Sequence, residues 1–135
     1  HPDLSKMDAA GIRDQIDRTN QNLKDAAGLA ASVLRPPYGA IGSTLKSVAG
    51  MPLILWNIDT LDWKTRNAQT TIDNVMEKAK DGDIILMHDI HTESVDAAIV
   101  LIPKLIEKGF QLVTVSEMAA AKGIRMQNGE KYTNF

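Results

Sequence analysis

Apolar residues along this chain recur either at helical spacing or in short continuous runs. The first helical pattern covers residues 9–27 and follows Asp8, a residue type that caps helix N-termini well. Its apolar positions are Ile12, Ile16, Leu23 and Ala27. The spacing therefore predicts an amphipathic helix at this end of the chain.

Four further helices are predicted from apolar spacing and from capping residues. Three of them are short or medium in length: residues 43 to about 49 with Ser43 as cap, residues 68 to about 80 with Asn67 as cap, and residues 117–121 with Ser116 as cap. The fourth is marked by apolar residues from Val95 onward, reaches about Lys108 and ends at Gly109. Pro103 lies inside it and predicts a kink or one lost backbone hydrogen bond, because the apolar spacing continues beyond it.

Continuous apolar runs predict the strands. They cover residues 53–58, 84–87 and 110–115, with a shorter run at 32–34. Apolar runs without alternation are typical of strands that are covered on both faces, as in parallel sheets. Strands that alternate with helices at this spacing indicate an α/β fold, either an open doubly wound sheet or part of a barrel.

Polar residues follow the predicted strands at the points where each run ends. They are Arg35 after the first run, Asp59 and Asp62 after the second, and His88 and Asp89 after the third. In α/β folds the loops at the carboxyl ends of parallel strands converge and carry the chemistry. We therefore expect these side chains to lie on one rim of the sheet.

Composition narrows the classes of partner. The 135 residues are 44% hydrophobic, which suits one globular domain, and the net charge is -2 without any long basic block. This charge offers no electrostatic attraction for nucleic acid or for an anionic membrane surface, so neither is an expected partner. No apolar run is long enough to span a bilayer, and no signal-peptide pattern is present. Cysteine is absent, which leaves His, Asp and Glu as the strong metal ligands.

Two interpretations stay open for each polar segment taken alone. The segment 35–39 (Arg-Pro-Pro-Tyr-Gly) is either an ordinary solvent loop or a rigid loop that holds a backbone N–H toward a developing oxyanion. Residues 59–63 (Asp-Thr-Leu-Asp-Trp) are either a capped turn with Trp63 in the core or a segment in which one carboxylate keeps a nearby histidine protonated. His88 is either a structural residue or one whose ring emerges at the rim of the sheet. A metal site formed by His88 and His91 would suit a helical turn, and it is disfavoured because this segment is predicted to be a loop.

Taken in order, these segments resemble motifs of the polysaccharide deacetylases of carbohydrate esterase family four, which share the NodB-homology domain. Residues 34–39 look like the third motif, residues 59–63 like the fourth and residues 86–89 (Leu-Met-His-Asp) like the fifth. His1 and Pro2 look like the end of the second motif, a His-Ser/Thr-x-x-His-Pro segment. The sequences of residues 56–63 and 88–91 are most similar to those of the peptidoglycan N-acetylglucosamine deacetylases of Gram-positive bacteria.

The resemblance implies a distorted (β/α) barrel in which one Asp and two His hold a metal ion. His88 would protonate the leaving amine, and Asp62 would keep His88 charged. Trp63 and Leu86 would line the pocket that receives the acetyl methyl group.

The remaining implied roles fall on the amino-terminal part of the chain. Arg35 would orient the catalytic base, and the backbone N–H of Tyr38 would help to hold the oxyanion. His1 would be a ligand of the metal, with zinc the default and cobalt an alternative.

The first motif of the family, Thr-Phe-Asp-Asp-Gly-Pro, is absent, and with it the base, the ligand Asp and the first ligand His. We therefore expect residues 1–122 to be the carboxyl-terminal part of the deacetylase domain and residues 123–135 to be a tail. The expected partner is the amino-terminal segment of the same domain, possibly as a separate chain, without which the chain is not expected to be active.

The function that the resemblance implies is hydrolytic N-deacetylation of N-acetylglucosamine in peptidoglycan or chitin-like oligomers, with release of acetate. The expected location is extracellular or on the cell surface of a Gram-positive-like bacterium. Two alternatives stay open, an O-acetyl esterase that acts on acetylated xylan and an inactive homologue that only binds sugars.

Overall fold

A computed structural model describes all residues, 1–135, and they form two compact units. The first unit comprises His1–Leu55 and Arg125–Tyr132, and the second comprises Trp56–Ile124 and Thr133–Phe135. The helices are α1 (Ala9–Ala27), α2 (Ser43–Val48), α3 (Asp62–Thr65), α4 (Ala68–Lys78), α5 (Thr92–Glu107) and α6 (Val115–Ala121). The strands are β1 (Leu53–Ile54), β2 (Ile58–Asp59), β3 (Ile85–Leu86) and β4 (Lys131–Tyr132), and two 3-10 turns cover Leu4–Lys6 and Pro37–Gly39. None of the helices has the length and apolarity needed to cross a membrane.

Helix α1 of the first unit has the predicted bounds. The Asp8 carboxylate accepts a hydrogen bond from the Gly11 N–H at 2.8 Å, and the helix ends at Gly28 in the left-handed conformation. Only the amino-terminal half of α1 contributes to the core, where Ile12 is fully buried, whereas residues 21–30 are all exposed. The core of this unit consists of Leu4, Ile12, Leu45, Ala49 and Leu53.

Strand β1 of the first unit pairs with β4 in parallel, with Leu53 opposite Lys131. Leu34 forms an additional parallel bridge to Leu53 on this ladder. Residues 123–135, for which no element was predicted, thus contribute a strand. Gly129 allows this segment to pass close to α2, because a Cβ atom at Gly129 would lie 2.2 Å from the Lys46 carbonyl oxygen.

Replacing Gly129 by alanine is expected to destabilise the protein by more than about 2 kcal/mol, since it adds a backbone clash to the cost of a left-handed alanine. Gly28→Ala is the matched control. Gly28 has φ 71° against 76° for Gly129, but a Cβ atom at Gly28 would meet nothing within 4 Å. Urea unfolding of both variants checks this. Equal losses of unfolding free energy would contradict the close approach.

The second unit contains a parallel pair of strands and a pair of packed helices. Ile58 lies opposite Ile85 and Asp59 opposite Leu86, so β2 and β3 end side by side. Helix α4 begins at the predicted cap, where the Asn67 side chain accepts from the Thr70 N–H at 2.9 Å. The core between α4 and α5 consists of Ile72, Val75, Ala97, Leu101 and Leu105.

The predicted strand over residues 53–58 is divided into β1 and β2. The Leu55 N–H donates to the Tyr132 carbonyl oxygen, whereas the N–H groups of Asn57 and Ile58 donate to the Ile84 carbonyl oxygen. The run therefore changes its hydrogen-bonding partner between these residues, and one continuous ladder is not formed.

The predicted strand at residues 84–87 is shorter than expected, because only Ile85–Leu86 is paired.

The predicted buried strand at residues 110–115 is wrong. Residues 111–114 are exposed, with Leu112 at 49%, and they belong to no strand. A run of apolar residues becomes a buried strand only when neighbouring backbone takes its N–H and C=O groups, and no segment of this chain does so here. Apolar composition alone could not show that the pairing partner was missing.

Two predicted helix caps are also wrong. Thr114, and not Ser116, caps α6, because its hydroxyl accepts from the Glu117 N–H while the Glu117 carboxylate accepts from the Thr114 N–H. Ser43 is the first residue of α2, whose N-cap is Gly42 without a side-chain hydrogen bond. Helix α5 continues past Pro103, as the apolar spacing predicted.

Candidate functional site

A tight turn follows β2 and turns the Asp62 side chain inward. The Asp59 carboxylate accepts from the Leu61 N–H at 2.9 Å, and the Thr60 hydroxyl donates to the Leu86 carbonyl oxygen at 2.8 Å. Leu61 has φ 56°, in the left-handed region that non-glycine residues rarely adopt. Asp62 then begins α3 and is only 2% exposed.

The Asp62 carboxylate accepts four hydrogen bonds in this buried position. One oxygen, Oδ1, accepts from His88 Nδ1 at 2.8 Å and from the Trp63 N–H at 2.8 Å. The other, Oδ2, accepts from the His88 N–H at 2.7 Å and from the Ser94 hydroxyl at 2.6 Å. We call Asp62, His88, Ser94 and the Trp63 N–H the His88 cluster. Because β2 and β3 are parallel neighbours, their carboxyl ends place Asp62 and His88 together, as expected from the position of both residues after predicted strands.

Burial and hydrogen bonding act in opposite directions on Asp62. Burial by itself raises the pKa of the Asp62 carboxyl, but the hydrogen bonds from Ser94, from His88 and from the Trp63 backbone outweigh it and lower that pKa to about 2. The group is therefore a carboxylate at neutral pH. A buried anion that accepts four donors is held in one orientation.

The linkage between folding and protonation gives a test of this ionisation. A carboxyl whose folded-state pKa is depressed contributes stability above its unfolded value of 3.8, and that contribution is lost as the pH falls through about 2. We expect about 2 kcal/mol of unfolding free energy to be lost from this group between about pH 5 and pH 2. Urea unfolding across this range checks it. In Asp62→Asn this part of the pH dependence should be absent, and a curve identical to that of the unchanged protein would contradict the assignment.

The His88 ring is bound at one nitrogen and is partly open to solvent. Its side chain is 35% exposed, and the ring uses Nδ1 to meet Asp62, so the second ring nitrogen, Nε2, is the one available to substrate. An acceptor carboxylate on one ring nitrogen fixes the tautomer and compensates the positive charge of the protonated ring. The arrangement suits general acid or general base catalysis.

Ser94 is the member of the cluster that sequence reasoning missed. The buried residues of α5 are Ser94, Ala97, Leu101 and Leu105, so Ser94 continues the core-facing stripe by one turn. A hydroxyl on such a stripe must find a partner when it is buried, and this was the only signal that the sequence offered. The acidic partner could be identified only from the folded chain.

The loops around the cluster are held by two further contacts. Arg66, at the end of α3, forms an ion pair of 3.1 Å with Glu93 in the first turn of α5. The Asn74 side-chain amide lies 3.5 and 3.4 Å from the carbonyl oxygens of Asp59 and Thr60. The first contact joins the end of α3 to α5, and the second joins the turn after β2 to α4.

The two residues predicted to line the acetyl pocket differ in exposure. Leu86 is 7% exposed at the end of β3, whereas Trp63 is 49% exposed and does not fill the core. The exposed indole therefore offers a flat apolar face, with a polar N–H edge, on the surface beside Asp62. His91 is the N-cap residue that precedes α5, and its ring centroid is 6.4 Å from that of His88.

Three of the predicted site residues, His1, Arg35 and Tyr38, belong to the first unit. Tyr38 has φ 61° within the 3-10 turn, and its hydroxyl donates to the His1 carbonyl oxygen at 3.1 Å. The two rings meet edge to face with centroids 5.0 Å apart. His1 is therefore positioned by Tyr38. A cavity of about 350 Å³ in this unit is lined by His1, Gln15, Thr19, Asn20, Arg35 and Pro37, among others.

The residues of this chain do not form a metal site by themselves. No group of three or more His, Cys, Asp or Glu side chains is arranged to hold a metal ion. His1 remains a single predicted ligand, and a single imidazole is too few for a stable zinc or cobalt site.

Comparison with known proteins adds the family context. A family model described as polysaccharide deacetylase matches residues 1–51. The chain is 42% identical over 122 residues to the peptidoglycan-N-acetylmuramic acid deacetylase PdaC of Bacillus subtilis (strain 168). It is 36% identical over 132 residues to the peptidoglycan-N-acetylglucosamine deacetylase PgdA of Listeria monocytogenes serotype 1/2a (strain 10403S). These matches cover 90% and 98% of this chain, but the chain spans only 26% and 28% of those relatives.

Solved structures show the same likeness. One, described as T48 deacetylase with substrate, has a TM-score of 0.91 at 42% identity and is matched over 98% of this chain and 65% of its own. A family 4 acetyl xylan esterase from Clostridium thermocellum, in complex with a cobalt ion, has a TM-score of 0.91 at 26% identity, over 98% of this chain and 67% of its own. The predicted fold, part of the α/β domain of such proteins, is confirmed.

Proposed function

We propose that this chain, which belongs to the polysaccharide deacetylase family, supplies the general-acid part of a site that removes acetyl groups from N-acetylglucosamine in peptidoglycan. The observation that carries the proposal is the buried Asp62 carboxylate paired with the half-exposed His88 ring. The names of the two relatives support peptidoglycan as the substrate class. Chitin-like oligomers, which carry the same sugar, are the next candidate.

In the proposed reaction, water adds to the acetamide carbonyl carbon and the C–N bond of the resulting tetrahedral intermediate breaks. An amine leaves readily only if its nitrogen gains a proton. His88 donates that proton from Nε2, and Asp62 compensates the positive charge that the ring carries before transfer. The products are acetate and a glucosamine residue with a free amino group.

The remaining roles in this chain are proposed on the resemblance of its motifs. Trp63 and Leu86 line the pocket of the acetyl methyl group, Arg35 orients a catalytic base, and the Tyr38 N–H donates to the oxyanion. His1 would be one ligand of a divalent metal ion, and the chemistry that such an ion would supply is activation of the attacking water. Zinc is the first candidate and cobalt the second, since a cobalt ion accompanies one similar structure. The base and the other ligands belong to a further segment of the same domain.

We also propose that the protein acts outside the cell membrane of a Gram-positive-like bacterium, because peptidoglycan is its proposed substrate. The proposal follows the substrate class of the two relatives, whose names specify peptidoglycan.

Acetate release from three polymers tests the function. A form of the protein that carries the whole metal site is incubated with peptidoglycan, chitin oligomers and acetylated xylan, and mass spectrometry identifies which sugar loses its acetyl group. We expect the highest kcat/KM on N-acetylglucosamine of peptidoglycan. Loss of acetyl from N-acetylmuramic acid instead would move the assignment to the neighbouring sugar, which the PdaC relative makes the second candidate. Activity on xylan alone would show an O-acetyl esterase and reject the proposal.

A further inference from the structure

Ser94 contacts the Asp62 carboxylate but not the ring of His88, the proposed proton donor. It is 2% exposed, and its hydroxyl donates to Asp62 Oδ2 at 2.6 Å, whereas His88 Nδ1 meets the other oxygen, Oδ1. Resting on the proposed function, we infer that Ser94 is a positioning residue that orients the Asp62 carboxylate and thereby the proton donor His88.

The division of donors between the two carboxylate oxygens supports this role. Three of the four donors, the Trp63 N–H, the His88 N–H and His88 Nδ1, belong to the chain segments that the carboxylate must align. Ser94 is the only donor that comes from α5. It joins the carboxylate to a helix that is fixed independently by its core residues Ala97, Leu101 and Leu105.

The start of α5 is itself held in place. The Ser94 N–H donates to the His91 carbonyl oxygen at 3.0 Å, which fixes the first turn of the helix. Glu93, the preceding residue, pairs with Arg66 at the end of α3, the helix that Asp62 begins. The Ser94 hydroxyl is therefore presented to Oδ2 from a hydrogen-bonded first turn of α5.

Without the hydroxyl, Oδ2 keeps one donor and the carboxylate can rotate about its Cβ–Cγ bond. The Asp62–His88 contact would then be held only part of the time in the geometry that delivers the proton. Loss of one hydrogen bond to a charged group changes an equilibrium by about tenfold or more. The defect should appear only in reactions whose leaving group needs a proton.

The test compares two substrates in a form of the protein that carries the whole metal site. Ser94→Ala is expected to lower kcat for acetamide hydrolysis about tenfold with little change in KM, and to leave hydrolysis of an aryl acetate nearly unchanged, because a phenolate leaves without a proton. Ser94→Thr, which keeps the hydroxyl, is expected to restore the amide rate. Thermal unfolding of each variant shows whether the fold persists.

The matched control is Thr71→Val. Thr71 is a second buried hydroxyl of the same unit, 1% exposed, but its oxygen has no hydrogen-bond partner. Its replacement should leave the ratio of amide to aryl-ester activity unchanged. Equal losses on both substrates in Ser94→Ala would show a structural role only and overturn the inference. If the unchanged protein deacetylates no glycan, the proposed function itself fails, whatever Ser94 does.

A measurement independent of turnover accompanies these rates. In the folded protein the His88 Nδ1 proton, held by Asp62, should give a resolved imidazole resonance in a ¹⁵N-edited NMR spectrum. In Ser94→Ala this resonance should broaden or exchange faster with water, and Ser94→Thr should restore it. An unchanged resonance in a folded Ser94→Ala protein would also contradict the inference.

Discussion

Replacing His88 by asparagine is expected to lower the rate of acetamide hydrolysis by about 100-fold or more, the usual contribution of a general acid. Asparagine can still donate a hydrogen bond toward Asp62, but it has no proton to transfer to a leaving amine. The loss should appear in kcat, since the interaction is needed only as the C–N bond breaks. Acetate release from an N-acetylglucosamine oligomer measures it.

The same variant provides its own internal comparison. Hydrolysis of an aryl acetate should fall far less than amide hydrolysis, because its leaving group needs no proton. His91→Asn is the control for general disturbance of the loop, since its ring lies 6.4 Å from that of His88 and makes no capping bond to α5. If His88→Asn released acetate from the amide at the original rate, His88 would not be the acid.

Replacing Asp62 by alanine is expected to destabilise the second unit by about 3 to 5 kcal/mol, the cost of leaving several buried donors without an acceptor. Four donors would lose their acceptor at once, and the N–H groups of Trp63 and His88 have no alternative inside the protein. Thermal and urea unfolding measure the loss.

Asp59→Ala is the matched control for this large effect. Asp59 lies three residues earlier in the chain, is half-buried, and its carboxylate accepts one hydrogen bond, from the Leu61 N–H. Its replacement should cost about 1 kcal/mol or less. Similar losses for the two variants would mean that the buried network around Asp62 does not stabilise the fold.

Much of the fold and of the cluster follows from local pattern. Helix α1 was predictable because Asp8, the apolar spacing and Gly28 all act within the segment itself. Asp62 and His88 could be placed together because strand ends in a parallel sheet converge, which needs no side-chain detail.

What could not be predicted depends on distant partners. Residues 110–115 have the composition of a buried strand, but whether such a run pairs is decided by another segment, and none in this chain pairs with it. Conversely, Lys131 and Tyr132 lack a strong strand pattern and become β4 because the edge of β1 accepts them. Ser94 was missed for the same reason, since its acceptor lies 32 positions earlier in the chain.

The way Trp63 takes part in the His88 cluster bears on how substrate choice can diverge. Trp63 contacts Asp62 through its main-chain N–H, while its indole is half exposed. Evolution or laboratory selection can therefore exchange that side chain without removing a donor from the carboxylate. Libraries that randomise position 63 should yield variants with altered glycan preference far more often than variants that lose acetamide hydrolysis, because the proposed sugar contact uses the indole, whereas the hydrogen bond to Asp62 uses the main chain.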